Sequence, residues 1–155
     1  MAASRPIEMK TSPAQLAQMA EHGLAGRLRR SSAARLLGFE LAAAEHGRAV
    51  IRVRIGAKHL QVYGVVHGGI LASLADTAAG FACYASLPKG TRLATIEMKI
   101  NYLEPVEKGT IFAEARVLRI GRTTAVAECD VRDTSGMLVA KALLTFSIGR
   151  RHRKS

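Results

Sequence analysis

The chain has 155 residues, 48% of them hydrophobic and 5% aromatic, and carries a formal net charge of +11. That length provides one domain with a substantial core, while two cysteines without metal or redox spacing exclude a disulfide framework and leave a reducing cytoplasm as the expected setting. The positive field attracts polyanions without choosing among them, and so few aromatics exclude a stacking platform for single-stranded nucleic acid.

Residues 1–11 read as a disordered end that lacks the apolar core of a signal peptide. Ser12 and Pro13 have the types favoured at a helix cap and first turn. Leu16, Met19, Ala20 and Leu24 follow at helical spacing, which predicts a helix over 12–30. One such helix is too little for a helix-turn-helix module. From Ala34 to Ala44 the chain reads as apolar and extended; Glu45-His46-Gly47 is a turn, and Ala49 to Ile55 alternates, giving a first hairpin. Residues 56–60 then lead into a polar loop at Gln61.

Residues 70–87 form an apolar run with one charge, Asp76. The run is just long enough to span a bilayer, but a central aspartate costs about 3 kcal/mol on insertion. Its abundance of Ala and Leu favours a buried helix, predicted over 67–87 and stopped by Leu87-Pro88-Lys89-Gly90. Gly68 and Gly69 then lie at its N-terminus, where amides are unpaired and the dipole is positive. A lone buried carboxylate costs several kcal/mol unless paired, so Asp76 is either satisfied structurally or kept for chemistry.

Beyond the helix the chain alternates in strand fashion: Arg92 to Tyr102, Gly109 to Arg119, Thr123 to Arg132 and Met137 to Ile148. Ile111, Ala113, Ala115 and Val117 share one face of their strand, as do Ala125, Ala127, Cys129 and Val131 of the next. The implied architecture is α+β: one antiparallel β-sheet wrapped around a long central helix, with an extra N-terminal helix, all within a single domain over 12–148. A sheet of this kind leaves edges, so dimer formation by edge pairing is expected. Residues 149–155, with Arg150, Arg151, Arg153 and Lys154, read as a solvated basic tail.

His67-Gly68-Gly69 followed by a small-residue helix with Asp76 resembles the hotdog-fold acyl-CoA thioesterases, specifically the phenylacetate-degradation (PaaI-like) type. Three further stretches fit the same pattern in the same order: TIEMKINYLEP at 95–105, VLRIGRTTA at 117–125 and GMLVAKA at 136–142. The resemblance covers residues 36–148 and implies hydrolysis of an acyl-CoA thioester. An aryl- or medium-chain acyl-CoA is the expected substrate. No cofactor is implied beyond the coenzyme A of the substrate itself, no metal, no membrane span and no specific nucleic acid. The expected assembly is a homo-oligomer, a dimer or a dimer of dimers, with active sites at the subunit interface.

Thioester hydrolysis needs donors for the carbonyl oxygen and a carboxylate that activates water or attacks directly. The resemblance makes Gly68 the amide donor, with Gly69 beside it permitting close approach, and Asp76 the base or nucleophile. It places Gln61 on the substrate carbonyl or the water, and Thr95 beside the carboxylate. Eight residues of helix separate Gly68 from Asp76, roughly 12 Å of rise, so one carbonyl reaches both only if they come from two subunits. His67 is a candidate base whose alternative is a structural role, its ring bonding nearby backbone. Tyr63, Val65, Leu71, Ala79, Gly80, Cys83 and Tyr102 are candidate walls of an acyl tunnel, with the missing side chain of Gly80 leaving room for a bulky group. Arg92, Arg119 and Arg122, with Lys89, are candidate contacts for the phosphates of coenzyme A. A non-catalytic acyl-CoA or lipid sensor on the same fold is the alternative reading.

Overall fold

A computed structural model describes residues 12–14 and 23–149. Its elements in chain order are α1 (Leu24–Arg30), α2 (Ser32–Leu37), β1 (Phe39–Glu45), β2 (Arg48–Arg54), a 3-10 turn (Ala57–His59), α3 (Gly68–Tyr84), β3 (Arg92–Tyr102), β4 (Thr110–Ile120), β5 (Thr124–Asp133) and β6 (Leu138–Gly149). The strands form one antiparallel sheet in the order β1-β2-β4-β5-β6-β3. Helix α3 lies across one face, over β2, β4 and β5.

Small side chains make that packing close. Leu74, Ala75, Ala78, Ala79, Ala82 and Cys83 of α3 are fully buried, as are Ile111, Ala113 and Ala115 of β4 and Ala125, Ala127, Cys129 and Val131 of β5. Alanine on both surfaces brings the helix axis near the sheet, where even a methylene is felt. Val117, placed on the same face by alternation, is half-buried near the end of its strand. Among the described residues no helix is long and apolar enough to cross a membrane.

Three expected boundaries move. Gly23 stands in the left-handed region (φ 62°) ahead of α1, so a single helix over 12–30 does not run through it; Leu16, Met19 and Ala20 lie outside the described residues, as do 1–11 and 150–155. The stretch from Ala34, expected to be extended, begins inside α2. The Ser31 hydroxyl caps that helix by accepting from the Ala34 amide (3.2 Å) and Gly38 closes it at φ 73°, a start and stop pair that overrides the apolar pattern. Helix α3 ends at Tyr84 rather than Leu87. There the chain tightens into i to i−3 bonds, from Ser86 N to Cys83 O (3.0 Å) and from Leu87 N to Tyr84 O (3.4 Å). The Ser86 hydroxyl accepts from the Gly47 amide (2.6 Å), tying the helix end to the β1–β2 turn.

The sheet face opposite α3 carries a charge ladder. Glu114 on β4 is 2.7 Å from Arg48 and 2.9 Å from Arg116, while Lys141 on β6 bridges Glu128 (2.8 Å) and Asp130 (2.6 Å). Burial raises the Glu114 pKa, but its hydrogen bonds to Arg48 and Arg116 prevail and hold the carboxyl below its ordinary 4.5. The unfolded chain therefore binds this proton more tightly, and the stability gained above pH 4.5 is lost as pH falls through the folded value. Denaturant midpoints measured from pH 7 to pH 3 are expected to drop steeply in the acid limb for the wild type. The drop is expected to be shallower for Glu114→Gln, which is also less stable than wild type at pH 7.

Candidate active site

The loop entering α3 is a tight strap. Gln61 N donates to Val65 O (2.8 Å) and Gly64 N to Gln61 O (2.9 Å), with Gly64 at φ 80°. Val66 N donates to Val106 O (2.7 Å) and His67 N to His59 O (2.9 Å). His59, 1% exposed, accepts from Gly56 N at Nδ1 (2.9 Å) and lies 2.8 Å from Leu37 O at Nε2. With Nδ1 accepting an amide hydrogen, the ring is neutral and carries its hydrogen at Nε2. It is a structural pin beneath the strap.

At the head of α3 the first amides have separate fates. Gly69 N donates to His67 Nδ1 (2.9 Å), so the His67 ring caps the helix. Ile70 N donates to His67 O (2.9 Å). The Gly68 amide meets no acceptor among the described residues and stands at the positive end of the dipole. The Gly69 amide is thus bonded within the loop, and what Gly69 offers a ligand is close approach rather than a donor. A Cβ on Gly69 would lie 3.0 Å from His67 Nδ1, so glycine there makes room for the capping ring. A Cβ on Gly68 would lie 3.0 Å from Cζ of Tyr102, so each glycine accommodates a different ring.

Two turns along α3, Asp76 Oδ1 accepts from the Thr95 hydroxyl at 2.7 Å. A β-bulge makes this contact. Thr95 pairs with Phe146 and Glu97 with Thr145, so Ile96 is the extra residue. The bulge reverses the alternation of β3: Leu93 and Thr95 point toward the helix before it, and Met98 and Ile100 pack on the core after it. Ser73, one turn before Asp76, has its hydroxyl bonded back to Gly69 O (2.8 Å).

The remaining candidates separate by place. Gln61 Oε1 accepts from Tyr63 N (3.1 Å), which fixes the carboxamide in its own loop. Tyr63 stands at the loop tip, 85% exposed. Val65 and Leu71 line an apolar pocket of about 390 Å³ beside Gly68, together with Val66, Tyr102, Leu103 and Val106. Gly80 and Cys83 lie on the face of α3 that packs on the sheet. Cys83 is 0% exposed, with its thiol pushed up to about 11 by burial. The space above Gly80 is occupied by the Phe146 ring, 3.8 Å from where a Cβ would stand. Both are buried on α3, as is Ala79, because the helical period turns these positions toward the β-strands. Arg92, Arg119 and Arg122 are exposed at the end of the sheet where β4 turns into β5, and Arg92 pairs there with Gly149. Gly68 lies toward the other end, roughly 30 Å away along an eleven-residue strand. Among the described residues no group of three or more His, Cys, Asp or Glu comes together as a metal site.

The geometry thus offers a free helix-head amide, a hydroxyl-bound carboxylate and an apolar pocket. Comparison with known proteins supplies the family. Residues 63–140 match the family described as the thioesterase superfamily. A proposed esterase of Saccharolobus solfataricus is 39% identical over 106 residues, 68% of this chain and 75% of that protein. The 1,4-dihydroxy-2-naphthoyl-CoA hydrolase of Listeria monocytogenes is 26% identical over 76% of this chain and 95% of its own. Among solved structures, the Escherichia coli PaaI protein of the phenylacetic acid degradation operon superposes with a TM-score of 0.78 at 26% identity, covering 88% of this chain and 98% of that one. The chain belongs to the thioesterase superfamily and is a hotdog-fold thioester hydrolase of the PaaI-like type.

Proposed function

We propose that the protein hydrolyses an aryl- or medium-chain acyl-CoA to the free acid and coenzyme A. In this reading Gly68 of one subunit and the partner subunit's Asp76 act on the same carbonyl. The observation that carries it is the 2.7 Å bond from the Thr95 hydroxyl to Asp76. It fixes one carboxylate oxygen and leaves the other to face a water or the thioester carbon. Within one chain Gly68 and Asp76 stand roughly 12 Å apart along α3, too far to serve one carbonyl, so the reading requires two subunits. Strand β3 is an edge strand with an exposed outer side, and Ile96 on it is 59% exposed. Pairing of β3 with its copy would bury that edge. The Listeria relative acts on an aryl acyl-CoA by its name, which supports the substrate class.

The reaction runs as follows. A water oxygen bonds to the thioester carbon while its proton passes to Asp76. The Gly68 N–H and the helix dipole hold the negative charge that develops on the carbonyl oxygen. The C–S bond then breaks with its electron pair going to sulfur, and the proton held by Asp76 neutralises the thiolate. Direct attack by the carboxylate gives an anhydride that a second step hydrolyses to the same products. Single turnover in 18O-labelled water separates the two routes, since direct attack alone leaves label in the Asp76 carboxylate.

Coenzyme A release from a series of aryl- and alkyl-acyl-CoAs tests the assignment. Asp76→Asn is expected to lower kcat/KM by about a hundredfold or more while leaving the fold intact. Thr95→Val removes a hydrogen bond to a charged group, about 1.5–3 kcal/mol, and is expected to cost about ten- to a hundredfold in kcat. A wild type that binds acyl-CoA and hydrolyses none of the series would replace this reading with the sensor.

His67→Asn keeps an acceptor for the Gly69 amide and removes the imidazole. If the ring serves as a cap, this variant is expected to stay within a few-fold of wild type in kcat/KM, and His67→Ala to lose about 1 kcal/mol of stability. A hundredfold loss in a folded His67→Asn would instead assign proton transfer to the ring.

A further inference from the structure

We propose that Tyr102 sets the size of acyl group this site accepts, by walling the apolar pocket that opens beside the Gly68 amide. The inference rests on the thioesterase reading above and adds a residue to it. Tyr102 is the last residue of β3, paired with Ala140, and the chain beyond it is held by Leu103 N donating to Val139 O (2.9 Å). The side chain thus springs from anchored backbone. Its ring lies against the Cα of Gly68, with Cζ, Cε1 and Cε2 at 3.0, 3.3 and 3.4 Å from the position a Cβ would take. The ring therefore touches the residue whose amide is left free for a carbonyl oxygen.

The pocket next to this contact has a volume of about 390 Å³. Ligand pockets run from about 300 to 1,000 Å³, so this one suits an acyl group and not a whole acyl-CoA. Its walls are Val65, Val66, Leu71, Leu103 and Val106, with Tyr102 supplying the aromatic face. The only charged residue on its lining is Glu104, which repels a terminal carboxylate. Together these select an uncharged acyl group, an aryl ring stacked on Tyr102 or an alkyl chain short enough to stop at it. Because Tyr102 is 51% exposed at a strand end, truncating it leaves the core untouched.

The experiment measures kcat and KM of the full chain for benzoyl-, phenylacetyl-, hexanoyl-, decanoyl- and palmitoyl-CoA. Wild type is set beside Tyr102→Ala, Tyr102→Phe and Val65→Phe, with thermal melts confirming the fold. Tyr102→Ala is expected to raise the palmitoyl-to-hexanoyl ratio of kcat/KM at least about tenfold, the scale set by one or two methylenes in an apolar pocket, mainly through KM, and to weaken the aryl substrates. Tyr102→Phe keeps the ring and is expected to keep the wild-type order of substrates. Val65→Phe fills the pocket from another of its walls and is expected to shift preference toward hexanoyl. A Tyr102→Ala variant that loses activity equally on every substrate, or keeps the wild-type ratio, overturns the proposal while leaving the thioesterase reading in place. If wild type hydrolyses none of the series, that reading fails, and titration with non-hydrolysable thioether analogues of the same chain lengths decides whether Tyr102 still limits length.

Discussion

A helix begins with amides that its own backbone cannot satisfy, and the head of α3 disposes of its own unequally. One is capped by the His67 ring, one by the His67 carbonyl, and the Gly68 amide is left open. The surrounding structure follows from keeping that arrangement fixed. The strap from Gly56 to His67 is tied to His59, and His59 to the end of α2, so the capping residue cannot drift. Two consecutive glycines let two rings, His67 and Tyr102, pack within 3.0 Å of where their Cβ atoms would be. The open amide is therefore a built feature with its neighbours excluded by shape.

The carboxylate is fixed by a different device. Strand β3 is at the edge of the sheet, yet it presents Thr95 to the helix because a bulge at Ile96 lets the strand change which residues face inward. Without the extra residue, strict alternation would turn either Thr95 or the pair Met98 and Ile100 away from the helix. The bulge keeps both the polar contact and the apolar packing. It also leaves Ile96 projecting at an otherwise polar edge.

Local chemistry made much of this legible. The helix and its glycine start followed from Gly68, Gly69 and the run to Leu87, and the buried faces of β4 and β5 followed from alternation at Ile111 to Ala115 and Ala125 to Val131. Strand order was not legible: β3 leaves α3 and joins β6 at the far edge, a long-range pairing that no local pattern specifies. The bulge at Ile96 was hidden for the same reason, since it is defined by its partner strand. Helix α2 was missed although Ser31 and Gly38 carry its start and stop, because an apolar run was read as extended. The resemblance already set Gly68 apart as the donor with Gly69 beside it, while the Tyr102 ring against Gly68 is a long-range contact that no local motif specifies.

The packing around Gly80 bears on specificity. A glycine in a helix one turn after the carboxylate suggests empty space, but the Phe146 ring of β6 stands 3.8 Å from where a Cβ would be, and Cys83 beyond it has no exposed surface. The alanine-rich face of α3 is fully buried against the sheet. Under the proposed function, room for the acyl group lies at the margins of the helix, where the sheet ends and loops begin. Beside Gly68 such room exists, and its walls come from three separate segments, the strap at Val65 and Val66, the first turn at Leu71, and the run from Tyr102 to Val106. Two of these are loops, which tolerate substitution far better than the alanine core does. Under that reading, substrate range can change at the helix head while the carboxylate and its hydroxyl partner stay in place.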